Sequence, residues 1–211
     1  MRIETPVRTR WKRLALATLC ALLQISALVS AAGAQNPAID PALLAKANAG
    51  DAAAQIEIGD LYARAAGAAA QDPNSRAAAA LSASDYKTAA EWYRKAADEG
   101  NSSGEMRLAA LYRDGRGVER DMAQAAEWYR KAAEQGDATA QATLGVLYSM
   151  GQGVPHSDVE AYYWLDLAAS VKGPNQEKYA ANRQMIGAHI TADELADVEE
   201  RVAKWLAAHP R

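Results

Sequence analysis

The sequence contains three histidines, His156, His189 and His209, the side chains best suited to binding a metal ion or transferring a proton at neutral pH. They are far apart in the chain, and none belongs to a His-Glu-x-x-His pattern, in which two histidines one helical turn apart bind zinc. No P-loop, dinucleotide-binding fingerprint or Gly-x-Ser-x-Gly turn is present. We therefore predict that the protein binds no metal or cofactor and is not an enzyme.

Three tryptophans, Trp92, Trp128 and Trp164, are the other set that could form a binding site, since indole rings stack on ligands and cations. They follow one another at the same interval of 36 residues. Equal spacing on equivalent helices favours a structural role over a ligand box. We predict that the three indoles lie in the core.

The tryptophan interval belongs to a longer repeat, which is clearest at residues 108–136. Tyr112 recurs as Tyr148, 36 residues later, together with its apolar neighbours and a Gly-x-Gly loop. A fixed period of roughly 20–50 residues indicates a solenoid. Each unit contains two helical patterns, the second beginning after an N-cap such as Asp121 and ending at Gly136. One helix pair cannot bury its apolar face alone, so several copies must stack.

The repeated motifs are specific enough to compare with a family. They are Leu-Gly-Val-Leu-Tyr at 144–148, Gly-Arg-Gly-Val at 115–118, and Ala-Glu-Trp-Tyr-Arg-Lys-Ala-Ala at 90–97 with a near-copy at 126–133. Together they resemble the Sel-one-like repeat, a variant of the tetratricopeptide repeat with a longer, glycine-containing inner loop. The resemblance covers about residues 45–170. It implies an all-α fold, a right-handed α-solenoid of about three helix pairs with C-terminal capping helices.

The N-terminus has the features of a secretory signal peptide. Residues 1–34 contain a basic start, a mostly apolar run and the small residues Ala32-Gly33-Ala34, so cleavage is expected after Ala34. The apolar run is short for a membrane span. An uncleaved anchor is the alternative, and we expect membrane contact only in that case.

The remaining chain divides at the repeats. After a lead-in at 35–44, the repeats occupy 45–172, as units of about 45–100, 101–136 and 137–172. Residues 173–211 are expected to form capping helices, the last one starting with a capping box at Thr191.

The first unit is longer than the others between its two helices. Tyr62 and Asp85 are 23 positions apart, whereas their counterparts Tyr112 and Asp121 are nine apart. We predict a flexible, alanine-rich loop insertion near 65–84, with an arm that contacts a partner as the alternative.

Composition excludes some classes of partner. The chain has 23 basic and 26 acidic residues, and removing 1–34 takes away five basic residues and Glu4, which leaves a net charge of −7. An acidic chain is unlike a nucleic-acid-binding protein, which shows a clustered basic face. The mature chain would also lack Cys20, the one cysteine, and so could form no disulfide or thiolate metal site.

The resemblance also implies a place for a protein partner. In tetratricopeptide-like arrays the first helix of each unit lines the concave face, where apolar side chains give adaptable contact and charged ones fix orientation. The alternative is an inner face that is merely solvated. The candidate groove residues are Ile56, Asp60 and Arg64 in the first unit, Met106, Ala110 and Arg113 in the second, and Ala142, Val146, Ser149 and Met150 in the third.

We interpret the protein as a non-enzymatic, monomeric interaction module that is periplasmic or secreted and binds a protein partner of unknown identity. Members of the family often serve as envelope adaptors. One alternative is a secreted β-lactam-binding or hydrolytic enzyme of the same repeat family. Some exported relatives linked to such activity are cysteine-stapled, and the missing cysteines set this chain apart from them. A peptidoglycan-associated structural protein is the other alternative.

Overall fold

The computed structural model describes residues 37–70 and 76–210, so the predicted signal peptide at 1–34 lies outside the described part. Every regular element in these two ranges is a helix, and no helix there is long and apolar enough to cross a membrane. The helices are α1 (Pro41–Asn48), α2 (Ala52–Ala69), α3 (Arg76–Asp98), α4 (Ser102–Asp114), α5 (Met122–Glu134), α6 (Ala138–Met150), α7 (Asp158–Ala169), α8 (Gln176–Gly187) and α9 (Ala192–Ala208).

Six of these helices form three consecutive pairs: α2 with α3, α4 with α5, and α6 with α7. Each pair also packs against the next, through α3 with α4 and through α5 with α6. The short α1 packs on α2 and precedes the first pair. This sequential stacking is an α-solenoid, and the predicted all-α fold is confirmed.

The ends of the helices follow the local sequence signals. Asp121 Oδ1 accepts hydrogen bonds from the backbone N–H groups of Ala123 and Gln124, and so caps α5. The side chains of Asp137 and Ser157 cap α6 and α7 in the same way. The four glycines of the two Gly-x-Gly loops all have positive φ, between 63° and 73°. The predicted caps and turns are therefore present.

Close packing within a pair depends on a small residue in its first helix. A Cβ atom at Gly59 would lie 2.4 Å from Cε1 of Tyr93, and one at Gly145 would lie 2.8 Å from Cγ of Leu165. The equivalent residue of the second pair is Ala109, which is fully buried. Small residues in α2 and α6 thus allow a large side chain of the second helix to lie against the backbone of the first.

The predicted core position of the tryptophans is confirmed for two of the three. Trp128 and Trp164 are only 8 % and 6 % exposed and belong to one large core cluster. Trp92 is partly buried and packs on a separate cluster near α1 and α2, which includes Ile58. The difference arises because Trp92 belongs to the first pair, which is followed but not preceded by another full pair among the described residues.

A polar contact recurs near the start of the first helix of a unit. Gln55 Nε2 donates to the carbonyl oxygen of Ala47 at 3.2 Å, and Gln141 Nε2 donates to that of Ala133 at 3.0 Å. Both glutamines are buried, and the contact ties each first helix to the end of the preceding helix. Glu105 occupies the equivalent position in α4, where it is also buried.

Replacing this carboxylate by its neutral isostere, Glu105→Gln, is expected to stabilise the fold at neutral pH. Burial, the largest effect, raises the pKa of Glu105 above its usual value, although Lys131 lowers it. The stabilising contribution of Glu105 is therefore complete at acidic pH and is lost as the pH rises through the folded-state pKa. Glutamine stays neutral, and its amide oxygen can still accept the 2.7 Å hydrogen bond that Gln135 Nε2 donates.

We expect a gain of about 1 kcal/mol in the free energy of unfolding at neutral pH, the lower end of the cost of burying an incompletely compensated polar group, because the variant no longer buries a charge. Urea unfolding of both proteins measures it. The gain should shrink at pH values below the ordinary glutamate pKa, where the wild-type side chain is protonated. An equal gain at both pH values would contradict this explanation.

The predicted loop insertion near 65–84 is wrong, because the described part of this segment is mostly helical. Helices α2 and α3 contain 18 and 23 residues, whereas their counterparts in the second unit, α4 and α5, contain 13 each. Gly67 lies within α2, and Ser82 lies buried within α3. Alanine has the highest helix propensity, and the packing of α2 along α3 outweighs the weak helix preference of glycine and serine. Residues 71–75 lie outside the described residues.

Helix α8 occupies the place that the first helix of a fourth unit would take. It packs on α7 and places Tyr179 in a small core cluster with Leu165. Arg183 of α8 forms an ion pair with Asp166 of α7. The helix thereby covers the apolar end of the third unit.

Helix α9 packs against α7 as well and completes the C-terminal cap. Its apolar stripe enters the main core through Val198 and Val202, and Arg201 donates to Glu160 Oε1 at 2.8 Å. The predicted capping box is present, since Thr191 and Glu194 exchange hydrogen bonds at its start.

Candidate functional site

A cleft lies between the first helices of the first two units. It has a volume of about 540 Å³ and is bounded by α2, α3, α4 and the loop after α4. The lining side chains combine aromatic and apolar surface with charges of both signs. They are Asp60, Ala63, Arg64, Tyr86, Tyr93, Arg107, Ala110, Leu111, Asp114 and Arg116. A cleft of this size with a few convergent polar groups is a common form of binding site.

Asp60 organises one side of the cleft. The hydroxyl of Tyr93 donates to its Oδ1 at 2.6 Å, and Arg107 Nη2 donates to its Oδ2 at 2.9 Å. Tyr93 comes from α3, and Arg107 comes from α4, so Asp60 of α2 connects three helices. Burial, assisted by the hydrogen bond to Asp60, raises the pKa of Tyr93 far above its usual range. The phenol therefore stays protonated and donates at all physiological pH values.

Asp114 organises the other side. Arg113 Nε donates to its Oδ1 at 2.8 Å, and Arg116 Nε lies 3.7 Å from its Oδ2. The hydrogen bond from Arg113 lowers the pKa of Asp114, and the charges of Arg113, Arg116 and Arg120 act in the same direction. The carboxylate is thus ionised in a locally positive environment.

Two further contacts fix the walls. The guanidinium carbon of Arg116 lies 5.6 Å from the centroid of the Tyr86 ring, which is a cation–π distance. Arg64 Nε donates to the backbone carbonyl of Asp60 at 3.1 Å. Arg64 forms no ion pair with any residue in 37–70 or 76–210.

The predicted groove residues separate into three groups. Asp60, Arg64 and Ala110 line this cleft. Ala142 and Val146 line a smaller cleft of about 220 Å³ between α6 and α8. The others line neither of these two clefts: Ile56, Met106, Arg113, Ser149 and Met150.

Several of these side chains are placed where a partner would not reach them easily. Ala142 is only 6 % exposed, because Tyr179 of α8 packs into the same cluster. Met106 packs on the main core, and Ser149 Oγ donates to the carbonyl of Val146 in its own helix. These residues were predicted from the repeat pattern, which treats the first helices of all units alike. In the structure, helix α8 covers part of that face in the third unit, and the core cluster takes up Met106 in the second.

Sequence reasoning missed most of the cleft. Arg107 lies three residues before the predicted Ala110, and Asp114 lies four residues after it, so extending that face along α4 would have found them. The two tyrosines come from α3, and Arg116 comes from the Gly-x-Gly loop. The prediction considered only first helices, and therefore missed these side chains.

Two of the histidines come together in the fold, although they are far apart in the sequence. His156 Nε2 lies 3.4 Å from Asp158 Oδ1, and His189 Nδ1 lies 3.8 Å from Asp158 Oδ2. Both histidine side chains are more than half exposed, and such surface pairs contribute little to stability. Among the described residues, no group of three or more His, Cys, Asp or Glu side chains could hold a metal ion.

Comparison with known proteins identifies the repeat. The model of the Sel1 repeat matches residues 81–101, 102–137 and 138–170. The chain contains three Sel1 repeats. The predicted Sel-one-like repeats are thus confirmed, and the second and third Sel1 matches agree closely with units 101–136 and 137–172. The first Sel1 match begins inside α3. Because α2 and α3 are longer than the helices of the other units, the sequence of α2 lies outside the usual spacing of a Sel1 repeat.

Solved structures support the same fold. The chain is similar to a protective antigen of uropathogenic Escherichia coli that displays an SLR fold, with 28 % identity, a TM-score of 0.55, and coverage of 78 % of this chain and 40 % of the antigen. It is also similar to a Sel1 repeat protein from Oxalobacter formigenes, with 31 % identity, a TM-score of 0.53, and coverage of 65 % and 49 %. The chain spans less than half the length of either structure. No curated protein matches the sequence. Sel1 repeats generally act as protein–protein interaction modules on a typically non-catalytic scaffold.

Proposed function

We propose that this protein is a non-enzymatic adaptor of the bacterial cell envelope that binds a protein partner in the cleft between α2 and α4. The observation that carries the proposal is the cleft itself, which combines apolar surface and fixed charges between consecutive Sel1 repeats. Its walls are held in place by the contacts of Asp60 and Asp114, so the binding surface is organised before a partner arrives.

The envelope location rests on the N-terminal sequence. Residues 1–34 have the order of basic, apolar and small residues that is typical of a secretory signal peptide. We expect the protein isolated from the envelope to begin at Gln35. N-terminal sequencing checks this, and a cytoplasmic protein that keeps its first residues would contradict it.

A steric block of the cleft tests partner binding without changing its charge. Ala110 lines the cleft, and Ala110→Tyr would fill part of its volume. We expect the wild-type protein to capture a specific partner from envelope extracts, and Ala110→Tyr to lose most of that capture. The measurement is affinity capture followed by mass spectrometry.

Ala203→Tyr is the matched control, because Ala203 is exposed on α9, away from the cleft. It should capture the partner as the wild type does, and thermal melts should show that both variants are folded. Equal capture by the wild type and Ala110→Tyr would overturn the assignment of the cleft.

A further inference from the structure

The cleft has an excess of positive charge, although the chain as a whole is acidic. Its lining includes three arginines and two aspartates, whereas the full sequence has 23 basic and 26 acidic residues. A concave site with a net positive charge raises the local concentration of negatively charged ligands. The charge balance therefore favours a negatively charged group as the occupant.

The two aspartates cannot neutralise all of this charge, because each already has two partners. Asp60 is shared by Tyr93 and Arg107, and Asp114 is shared by Arg113 and Arg116. These contacts occupy the oxygens of both carboxylates. The cleft lining contains no third acidic side chain that could pair with Arg64.

Arg64 therefore enters the cleft as a cation without a counterion among the described residues. Its Nε is used by the carbonyl of Asp60, and no described residue accepts from its terminal nitrogens. A guanidinium group presents donors in a planar fork that matches the two oxygens of a carboxylate. Arg64 is thus free to bind an acidic group of a ligand.

Arg107 is only partly satisfied. One terminal nitrogen donates to Asp60 at 2.9 Å, but its Nε is buried without a hydrogen-bond acceptor. An unpaired buried donor is unfavourable. The buried Nε is out of a ligand's reach, but the Arg107 side chain is 36 % exposed, and its second terminal nitrogen could donate to a ligand carboxylate, which reinforces the preference for an acidic ligand.

The rest of the lining is apolar and aromatic. The Tyr86 ring, Leu111 and two alanines provide surface against which methylene and methyl groups pack. A free inorganic anion would leave this surface uncovered, whereas a peptide with acidic and apolar side chains would use both parts.

We propose that the cleft binds an acidic segment of the partner protein, in which Asp or Glu side chains lie beside apolar ones. The proposal rests on the proposed function, since it specifies the chemistry of the partner at the same site. Arg64 and Arg116 contact the carboxylates, and Tyr86 and Leu111 contact the apolar side chains.

A selection from random peptides tests the chemistry without knowing the partner. The mature chain is immobilised, peptides displayed on phage are selected on it, and the bound sequences are compared with the starting pool. We expect enrichment of Asp, Glu and apolar residues and depletion of Lys and Arg. A selected peptide should bind about tenfold more weakly to Arg64→Gln or Arg116→Gln, because each loses one charge-assisted contact. Binding should also weaken as the salt concentration rises.

Lys172→Gln is the control, because it removes the same charge from an exposed residue between α7 and α8. It should bind the selected peptide as the wild type does. Enrichment of apolar residues without acidic ones, or unchanged binding by both arginine variants, would overturn the acidic assignment and leave the proposed partner binding standing. A bound pool without any enrichment would count against both proposals.

Discussion

Trp128→Ala is expected to destabilise the protein by about 3–5 kcal/mol, the usual loss for deleting a buried tryptophan side chain. Trp128 is 8 % exposed and lies in the main core cluster, which extends from α3 to α9. Its removal would leave a cavity between stacked pairs, and neighbouring units could collapse into it only in part. Urea unfolding followed by circular dichroism measures the change in the free energy of unfolding.

Two comparisons separate this core effect from smaller ones. Trp92 occupies the equivalent position of the first unit but is only partly buried, so Trp92→Ala should cost clearly less. Lys131 Nζ lies 3.9 Å from the centroid of the Trp128 ring, and Lys131→Gln should cost only about 0.5–1 kcal/mol, the value of an exposed cation–π contact. Equal losses for Trp92→Ala and Trp128→Ala would show that burial does not set the difference.

Gly153→Ala is expected to cost about 2–5 kcal/mol, for two reasons that add. Gly153 has a φ of +73°, which an L-residue adopts at a cost of about 1–2 kcal/mol. A Cβ atom there would also lie 2.0 Å from the carbonyl oxygen of Met122, and overpacking costs typically about 1–3 kcal/mol. Met122 begins α5, so the variant would push the loop of the third unit away from the second unit.

Two other glycines serve as controls. Gly100 has a φ of +78° but no atom within 4 Å of an added Cβ, so Gly100→Ala should show the backbone strain alone. Gly173 has neither a positive φ nor a close neighbour, and Gly173→Ala should be nearly neutral. Thermal melts of the three variants should rank them in this order. Similar losses at Gly153 and Gly100 would mean that the contact between repeats contributes nothing.

The sequence predicted the parts of the fold that recur at a fixed interval. Trp128, the cap at Asp121 and the turn glycines each repeat, and repetition is a strong signal because every copy must fit the same neighbours. The first unit broke the period, and the prediction then treated its extra residues as a loop. The alanine runs favour a helix, whereas Gly67 and Ser82 favour a loop, and the packing of α2 along α3 selects the helix.

The candidate site was predicted in part. Asp60, Arg64 and Ala110 follow from their equivalent positions in first helices. The sequence does not single out Tyr93 as a site residue, because the equivalent Tyr129 lies in an almost identical motif and does not line the cleft. Tyr93 donates a hydrogen bond to Asp60, whereas the second unit has Ala110 at the position equivalent to Asp60.

By itself, the sequence determined that this chain is a stack of Sel1-type helix pairs, because amphipathic helices with small residues at fixed positions have no other way to bury their apolar faces. The tertiary structure alone decided where the stack has a cleft and what charges line it. It also decided that the second glycine of the Gly-x-Gly loop, as at Gly153, serves as a contact between neighbouring repeats as well as a turn. Such features depend on distances between residues of different units, and a one-dimensional period carries no information on those distances.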